Sequence, residues 1–178
     1  MKKRIAVDMD EVIAQVRPKF LDLYEAQTGR RLTKADYHGK KIYQVAGGNQ
    51  VREALHEPGF FADLPVMPHS QEVLQELSKT YDIYIVTAAQ EFRHSLGDKH
   101  DWLQQHFPFI PWKNYVFCGD KSIIRADYMI DDHIHNLTSF TGQGLLFTAS
   151  HNVAERGFVR VDDWLEVRSY FQQEQKKG

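Results

Sequence analysis

The sequence predicts an α/β fold: a Rossmann-like parallel sheet flanked by helices, with a small helical cap inserted after the first strand. Short apolar runs rich in Val, Ile and Phe, without strict alternation, are typical of strands covered on both faces. Segments with helical spacing of apolar residues lie between several of these runs. One stretch, residues 16–66, is too long for a simple connection between two strands.

The first two observations place the individual elements of the sheet. Strand and helix segments alternate along the chain, which predicts parallel strands joined by right-handed crossovers. Val73, Leu74 and Leu77 form the apolar stripe of one predicted helix, and the tail from 162 to 175 is a closing helix. The predicted strands cover 4–7, 83–87, 115–118, 128–130 and 144–148, and the crossover helices cover 70–81 and 100–107.

The third observation concerns the inserted stretch. Helices are predicted over 20–32 and 51–64, joined through a glycine-containing loop at 38–49. We therefore expect a core domain made of residues 1–15 and 67–178 and a helical cap made of residues 16–66.

Composition excludes several classes of function. The chain has 178 residues, 42% hydrophobic and 26% charged, as expected of one folded domain with an insertion. The net charge is -2 and its basic residues are spread out, which argues against polymeric nucleic acid as a partner. No apolar run approaches the ~20 residues of a membrane span. The single cysteine, Cys118, suits a reducing compartment, so we expect a cytoplasmic protein; the oligomeric state is left open.

Acidic pairs follow two of the predicted strands, Asp8 with Asp10 and Asp131 with Asp132. Ligands of open parallel sheets bind beyond the carboxyl ends of the strands, so both pairs are expected on one rim. A hydroxyl and an ammonium group are expected on the same rim: Thr87, Lys121. A single Asp at a strand end is more often a helix cap or turn residue than a catalyst. Capping does not account for two acidic pairs on neighbouring strands.

Such a cluster requires a cation. Two carboxylates about 4 Å apart repel by about 1 kcal/mol in water and by about 4 kcal/mol near a protein surface. Oxygen ligands with room left for waters and phosphate favour Mg²⁺ over Ca²⁺. The sequence therefore predicts a magnesium site among these acids.

Four segments resemble, in order and context, the motifs of the haloacid dehalogenase superfamily of phosphatases: "DMDEV", "IVTAA", "DKSIIRAD" and "MIDDH". A closer similarity is to the 5'(3')-deoxyribonucleotidases, carried by "VDMDEVIA", "FFADLPVMP", "DKSIIRADYMIDD" and "LLFTASHN". It runs from Arg4 to about Trp164.

The resemblance implies a Mg²⁺-dependent phosphomonoesterase that acts on deoxynucleoside monophosphates. Asp8 would be the nucleophile that forms an aspartyl-phosphate, and Asp10 would be the general acid and base. The metal would lie between the Asp8 carboxylate, the Asp10 backbone carbonyl and the pair Asp131 and Asp132, with Asp132 favoured as the direct ligand. Residues expected to bind substrate are Thr87 and Ala88 for the phosphate, Lys121 for phosphate and Asp8, and Tyr43 of the cap for the base.

The sequence departs from the well-known animal enzymes of that family near the expected nucleoside. Glu11 replaces a Gly, Val16 an aromatic residue, Ala88 a Ser and His133 an Arg. These changes leave phosphate chemistry intact and leave the substrate open. Another small phosphoester, such as a sugar phosphate, is the first alternative. A receiver module phosphorylated on Asp is the second, although its acidic residues occur on different strands.

Overall fold

The computed structural model describes residues 2–177, without the side chain of Lys177. Within this range, a sheet of six strands forms the centre, and six α-helices accompany it. In chain order the elements are β1 (Arg4–Val7), α1 (Arg17–Thr28), α2 (Asn49–Glu53), α3 (Ser70–Ser78), β2 (Asp82–Thr87), α4 (Ser95–His106), β3 (Tyr115–Phe117), β4 (Tyr128–Asp131), α5 (Ile134–Thr138), β5 (Gln143–Phe147), β6 (Val159–Val161) and α6 (Trp164–Lys177).

All neighbouring strands run parallel, in the order β3-β2-β1-β4-β5-β6. Chain order therefore reverses between β1 and β4, the place where doubly wound sheets open a ligand crevice. Val7 of β1 lies opposite Ile130 of β4 and, on the other side, opposite Ile85 of β2. The predicted parallel α/β sheet is confirmed.

Side chains alternate between two apolar layers, because successive residues of a strand point to opposite faces. Ile5 and Val7 belong to the larger core, together with Trp102 of α4 and Phe171 of α6, whereas Ala6 belongs to a smaller core with Leu137 of α5. Both faces are covered, which explains why the strands contain few polar residues.

A tight turn follows β1 and carries the acidic pair. The backbone N–H groups of Ile13 and Ala14 both donate to the carbonyl of Met9, at 2.9 Å each. The indole N–H of Trp164 donates to the carbonyl of Val12 at 2.8 Å. The loop between β1 and α1 is thus held by its own backbone hydrogen bonds and by a hydrogen bond from α6. The side chains at positions 8 and 10 therefore have a rigid support.

The long segment after β1 is helical, but its helices are shorter than predicted. α1 ends at Thr28 rather than residue 32, because Gly29 takes the left-handed conformation (φ 70°) and donates to the carbonyl of Glu25, a regular helix end. α2 ends at Glu53, and one 3-10 turn, Ala54–His56, follows it. Pro and Gly at positions 58 and 59 prevent the predicted helix from continuing to 64.

Three other parts of the sheet domain differ from the sequence predictions. β6 and α5 were not predicted, because three residues and five residues are too short for a periodic pattern to be recognised. α4 begins at Ser95, one and a half turns before the predicted start at residue 100. Within residues 2–177, no helix has both the length and the apolar character that crossing a bilayer requires.

Candidate functional site

The carboxyl ends of β1 and β4 bring both acidic pairs to one place. Asp8 directly follows β1, and Asp131 ends β4 on the neighbouring strand. The backbone N–H of Asp8 donates to the carbonyl of Ile130 at 2.9 Å, which extends the pairing of the two strands up to the acids. The sheet topology thus creates the expected common rim.

Lys121 joins two of these acids. Its Nζ lies 2.7 Å from Asp8 Oδ1 and 2.7 Å from Asp131 Oδ2, and the residue is only 4% exposed. It belongs to the 3-10 turn Lys121–Ile123, whose N-cap, Asp120, accepts a hydrogen bond from the Ser122 backbone N–H. Burial by itself raises the pKa of Asp8, but the Lys121 ammonium outweighs it and the pKa is lowered. Asp8 is therefore held as an anion.

Asp131 is fully buried and its carboxylate is surrounded by donors. Besides Lys121, it accepts from the amide of Asn136 on both oxygens, at 3.1 and 3.0 Å, and from the backbone N–H of His133 at 2.8 Å. Most of the lone pairs of this carboxylate are occupied by protein groups. Asp131 therefore positions Lys121 and the following turn.

Asp132 has a different environment. Its Oδ1 lies 2.5 Å from Nδ1 of His133, and its Oδ2 lies 3.6 Å from Nε2 of His151. Burial raises the pKa of Asp132 to about 7, the His133 contact opposes this rise, and the charges of Asp8 and Asp131 add to it. Burial lowers the pKa of His151 to about 4, so this imidazole is neutral and offers Asp132 no positive charge near pH 7.

The donor set suits a divalent cation. One ligand atom from each of Asp8, Asp131, Asp132 and His133 lies within 4.8 Å of every other. Carboxylate oxygens dominate this group, which is the chemistry of Mg²⁺ and Mn²⁺ sites. A cation would also relieve the unfavourable burial of Asp132, because no described lysine or arginine forms an ion pair with that carboxylate.

Asp10 points to a second lysine, Lys99 of α4, which sequence reasoning missed. Lys99 Nζ lies 2.7 Å from Asp10 Oδ2 and 3.0 Å from the hydroxyl of Thr87 at the end of β2. Asp10 Oδ1 is buried and has no hydrogen-bond partner among the described residues. The carboxylate of Asp10 is therefore not part of the candidate metal-ligand group, and one of its oxygens has no donor among the described residues.

A cavity of about 300 Å³ opens above these groups. The sheet side of the cavity is lined by Thr87, Ala88 and Lys121. Three of the four acids also line it: Asp8, Asp10 and Asp132. Tyr43 lines it from the long segment after β1 and packs edge-on against Phe20, with ring centroids 6.0 Å apart. The structure thus brings the sequence-predicted site residues together around one cavity, except for Asp131, which is fully buried and does not line it.

One hydrogen bond and one ion pair cross from that segment to the sheet domain at the cavity. Lys41 Nζ lies 2.7 Å from Nε2 of His133, and the guanidinium of Arg52 lies 3.1 Å from Glu91. Arg52 also lies over the ring of Tyr43, 5.8 Å from its centroid. The wall that this segment contributes therefore combines an aromatic ring with charged groups.

Glu11 occupies the position where the sequence analysis noted a Gly in related enzymes. Its φ of 59° is left-handed, a conformation that Gly adopts without strain. The side chain turns inward, is 17% exposed, and accepts a hydrogen bond from the backbone N–H of Arg17 at 2.6 Å. Val16, the N-cap of α1, has no side-chain acceptor. Glu11 therefore supplies the missing cap of α1.

Comparisons with known proteins agree with this geometry. A family model described as "5' nucleotidase, deoxy (Pyrimidine), cytosolic type C protein" matches residues 2–175. The chain belongs to this nucleotidase family. It is a phosphomonoester hydrolase of the 5'-nucleotidase type, as the sequence predicted.

Individual relatives of the nucleotidase support the assignment. A 5'(3')-deoxyribonucleotidase from Bacillus subtilis is 42% identical over 169 residues, covering 94% of this chain and 97% of the relative. A Staphylococcus epidermidis protein provisionally given the same name is 44% identical over 172 residues, covering 96% of each chain. The receiver-module alternative finds no support among these relatives.

A solved structure agrees on the fold. A hydrolase of Bacillus subtilis provisionally assigned to the haloacid dehalogenase family, crystallised with magnesium, superimposes with a TM-score of 0.60 at 14% identity, covering 96% of this chain and 99% of the other. The predicted haloacid dehalogenase fold is confirmed.

The strain at Glu11 can be separated from its hydrogen bond by two substitutions. Glu11→Ala removes the bond to the Arg17 N–H and keeps a Cβ in the left-handed conformation, so we expect the free energy of unfolding to fall by about 1–2 kcal/mol. Glu11→Gly also removes the bond but releases the strain, so its loss should be smaller. Chemical denaturation measures both, with Glu11→Gln, which keeps an acceptor, as control. Equal stability of the Ala and Gly variants would contradict this assignment of strain.

The raised pKa of Asp132 predicts how a divalent cation stabilises the nucleotidase. Its pKa is about 7 in the folded protein against an ordinary value of 3.8, so the stabilising contribution of its proton is lost as the pH rises through about 7. A cation bound at Asp132 would take the place of that proton. We therefore expect Mg²⁺ to raise the Tm more at about pH 8 than at about pH 5.

Thermal unfolding with Mg²⁺ and with EDTA at both pH values tests this expectation. Asp132→Asn, which cannot titrate, should show little difference between the two pH values. A Mg²⁺ effect of the same size at both pH values in the unsubstituted protein would show that Asp132 does not govern cation binding.

Proposed function

We propose that this nucleotidase hydrolyses deoxynucleoside monophosphates with Mg²⁺, through an aspartyl-phosphate on Asp8. The observation that carries the proposal is the contact of Asp8 with Lys121, at the point of the sheet where β1 and β4 meet. This contact keeps the carboxylate of Asp8 ionised and fixed at the base of the cavity. A nucleophile needs both properties.

The two chemical steps use Asp8 and Asp10. In the first, a carboxylate oxygen of Asp8 attacks phosphorus, the bond from phosphorus to the nucleoside oxygen breaks, and Asp10 gives its proton to that oxygen. In the second, Asp10 takes a proton from a water molecule, whose oxygen attacks phosphorus and releases Asp8. Asp10 lines the cavity in which both steps would take place.

Phosphate oxygens would be held by the hydroxyl of Thr87, the backbone N–H of Ala88 and the ammonium of Lys121. All three residues line the cavity beside Asp8. Lys121 would serve twice, because its ammonium contacts Asp8 and has further N–H donors. These contacts would place phosphorus in front of the nucleophile.

Mg²⁺ would be held by the carboxylate of Asp8, the backbone carbonyl of Asp10 and the carboxylate of Asp132. Asp131 belongs to the same acidic group, but its oxygens are engaged by Lys121, Asn136 and a backbone N–H. We therefore assign the direct contact to Asp132 and a supporting role to Asp131. The ion supplies charge neutralisation between the phosphate and the nucleophile, and stabilises the charge that develops on the phosphoryl oxygens.

Residues 16–66 would act as the cap over residues 1–15 and 67–178. Entry and exit of this segment run side by side: Gln15 donates its backbone N–H to the carbonyl of Pro65, and Met67 donates to that of Ile13. The segment also contributes Tyr43 and Arg52 to the cavity wall. A base stacked on Tyr43 would be contacted by this segment while its phosphate lies against the sheet.

The substrate class and location follow the names of the relatives. Deoxynucleotides are the substrates that the relatives' names specify, and the family description names a cytosolic enzyme. A sugar phosphate stays the alternative, because Glu11, Val16, Ala88 and His133 differ from the animal enzymes near the nucleoside. A polymeric nucleic acid or a membrane partner is not part of the proposal.

Replacing the nucleophile should abolish turnover and leave the fold intact. Asp8→Asn keeps the size of the side chain and cannot form an acyl-phosphate, so we expect phosphate release to fall by on the order of 10⁴-fold or more. Phosphate release under substrate saturation and the circular dichroism spectrum measure the two effects. Asp101→Asn, an exposed Asp on α4, is the control and should keep normal activity. Near-normal turnover by Asp8→Asn would rule out the aspartyl-phosphate.

A substrate panel distinguishes a deoxyribonucleotidase from a general phosphatase. With Mg²⁺ present, we expect kcat/KM for deoxypyrimidine monophosphates to exceed that for glycerol phosphate by on the order of 10-fold or more, because only the nucleotides contact the cavity wall. EDTA should remove the activity and Mg²⁺ should restore it. Equal rates for both substrate classes would leave only the phosphatase assignment, and activity unaffected by EDTA would exclude the metal.

A further inference from the structure

Lys99 is a charged residue that the core of the protein does not require. It lies in the second turn of α4 and is 2% exposed. Its ammonium lies over the ring of Phe61, 4.6 Å from the centroid. Burial of an ammonium group is costly, and a well-packed apolar side chain often fills such a position at lower cost. The contacts of the ammonium therefore indicate a functional reason for this residue.

The first contact fixes one of the two carboxylate oxygens of Asp10. Lys99 Nζ lies 2.7 Å from Oδ2 of Asp10, whereas Oδ1 of the same group is buried and unpartnered among the described residues. An ammonium group can only donate hydrogen bonds. It therefore occupies Oδ2 as an acceptor, fixes the orientation of the carboxylate, and leaves Oδ1 without a donor among the described residues.

The second contact fixes a hydroxyl hydrogen. Lys99 Nζ lies 3.0 Å from Oγ1 of Thr87. Because a hydroxyl has one hydrogen and an ammonium accepts none, Thr87 must be the acceptor in this contact. Its own hydrogen is then directed to another group, and the cavity that Thr87 lines lies next to it.

We propose that Lys99 is a positioning residue of the hydrolytic reaction, which holds Asp10 and Thr87 in one fixed arrangement through a single ammonium group. The inference rests on the proposed function, because that function gives proton transfer to Asp10 and phosphate binding to Thr87. Lys99 also lines the cavity, but the role assigned to it here is exerted through its contacts with Asp10 and Thr87. It acts by setting where the proton of Asp10 and the hydroxyl hydrogen of Thr87 point.

The test compares Lys99→Met on two substrates with different leaving groups. A nucleoside leaves as a poor anion and needs the proton from Asp10, whereas p-nitrophenolate is stable and needs little protonation. The ratio kcat/KM covers only the steps up to release of the first product, so hydrolysis of the intermediate does not enter it. We expect kcat/KM to fall by on the order of 10²–10⁴-fold for a deoxynucleoside monophosphate and by much less for p-nitrophenyl phosphate.

A double-mutant cycle shows whether Lys99 works through Asp10. In the background Asp10→Asn, the further change Lys99→Met should alter kcat/KM for the nucleotide by less than about threefold, because the group it positions is already gone. Additive losses, or equal losses on the two substrates, would overturn the proposal. If Asp10→Asn itself keeps normal kcat/KM for the nucleotide, the proposed function is wrong, and the role proposed for Lys99 is then wrong as well.

Stability measurements separate positioning from a structural role. Lys99→Met should keep or raise the Tm, because it removes a buried charge; a large drop in Tm that accounts for the lost activity would contradict the proposal. Ser95→Ala is the matched control and should keep normal kinetics, because Ser95 lies one turn earlier on α4 and its buried hydroxyl has no partner among residues 2–177. If Lys99→Met does not fold, Lys99→Gln replaces it. Its amide can still donate to Asp10, so we expect an intermediate kcat/KM, and a loss as complete as that of Asp10→Asn would count against positioning.

Discussion

Two buried ammonium groups make the acidic site of this nucleotidase possible. Lys121 bridges Asp8 and Asp131, and Lys99 contacts Asp10. The two lysines contact three of the four acids, and Asp132 is left without an ammonium partner among the described ion pairs. Burial raises the pKa of Asp132 to about 7. The fold therefore provides a place for a cation through the charges that it leaves unbalanced.

The acidic rim could be predicted from the sequence, because its position depends on a rule of topology. Parallel strands end at the same edge of a sheet, so an acid after β1 and an acid after β4 must be near each other if the strands are neighbours. Lys99 could not be placed in the same way, because it lies inside a helix whose predicted start, residue 100, came after it. A signal was present: Lys99 precedes Trp102 by three positions and Leu103 by four, which puts it on the buried face of α4.

The segment between β1 and α3 was less predictable, for a physical reason. Its turns depend on single residues such as Gly29 and on side chains that act across the chain, such as Glu11 capping α1 from six positions away. Periodicity cannot detect a cap supplied by a residue outside the helix. The left-handed φ of Glu11 cannot be read from composition either. The Gly at the same place in related enzymes is the residue type that adopts such a φ without strain.

The adjacent residues Asp131 and Asp132 have different contacts because a strand directs successive side chains to opposite faces. Asp131 continues the face of Met129, and Asp8 continues the face of Ala6, which belongs to the same apolar layer. Lys121 can therefore bridge Asp8 and Asp131 from one side of the sheet.

Asp132 is directed away from that bridge, toward the imidazoles of His133 and His151. It is left without an ammonium partner among the described ion pairs, and its neighbour His133 is the residue that Lys41 reaches from the segment proposed as the cap. The acid proposed as the metal ligand thus contacts a ring that the segment proposed as the cap also reaches. Lys41 and Asp132 meet the same imidazole, Lys41 at Nε2 and Asp132 at Nδ1.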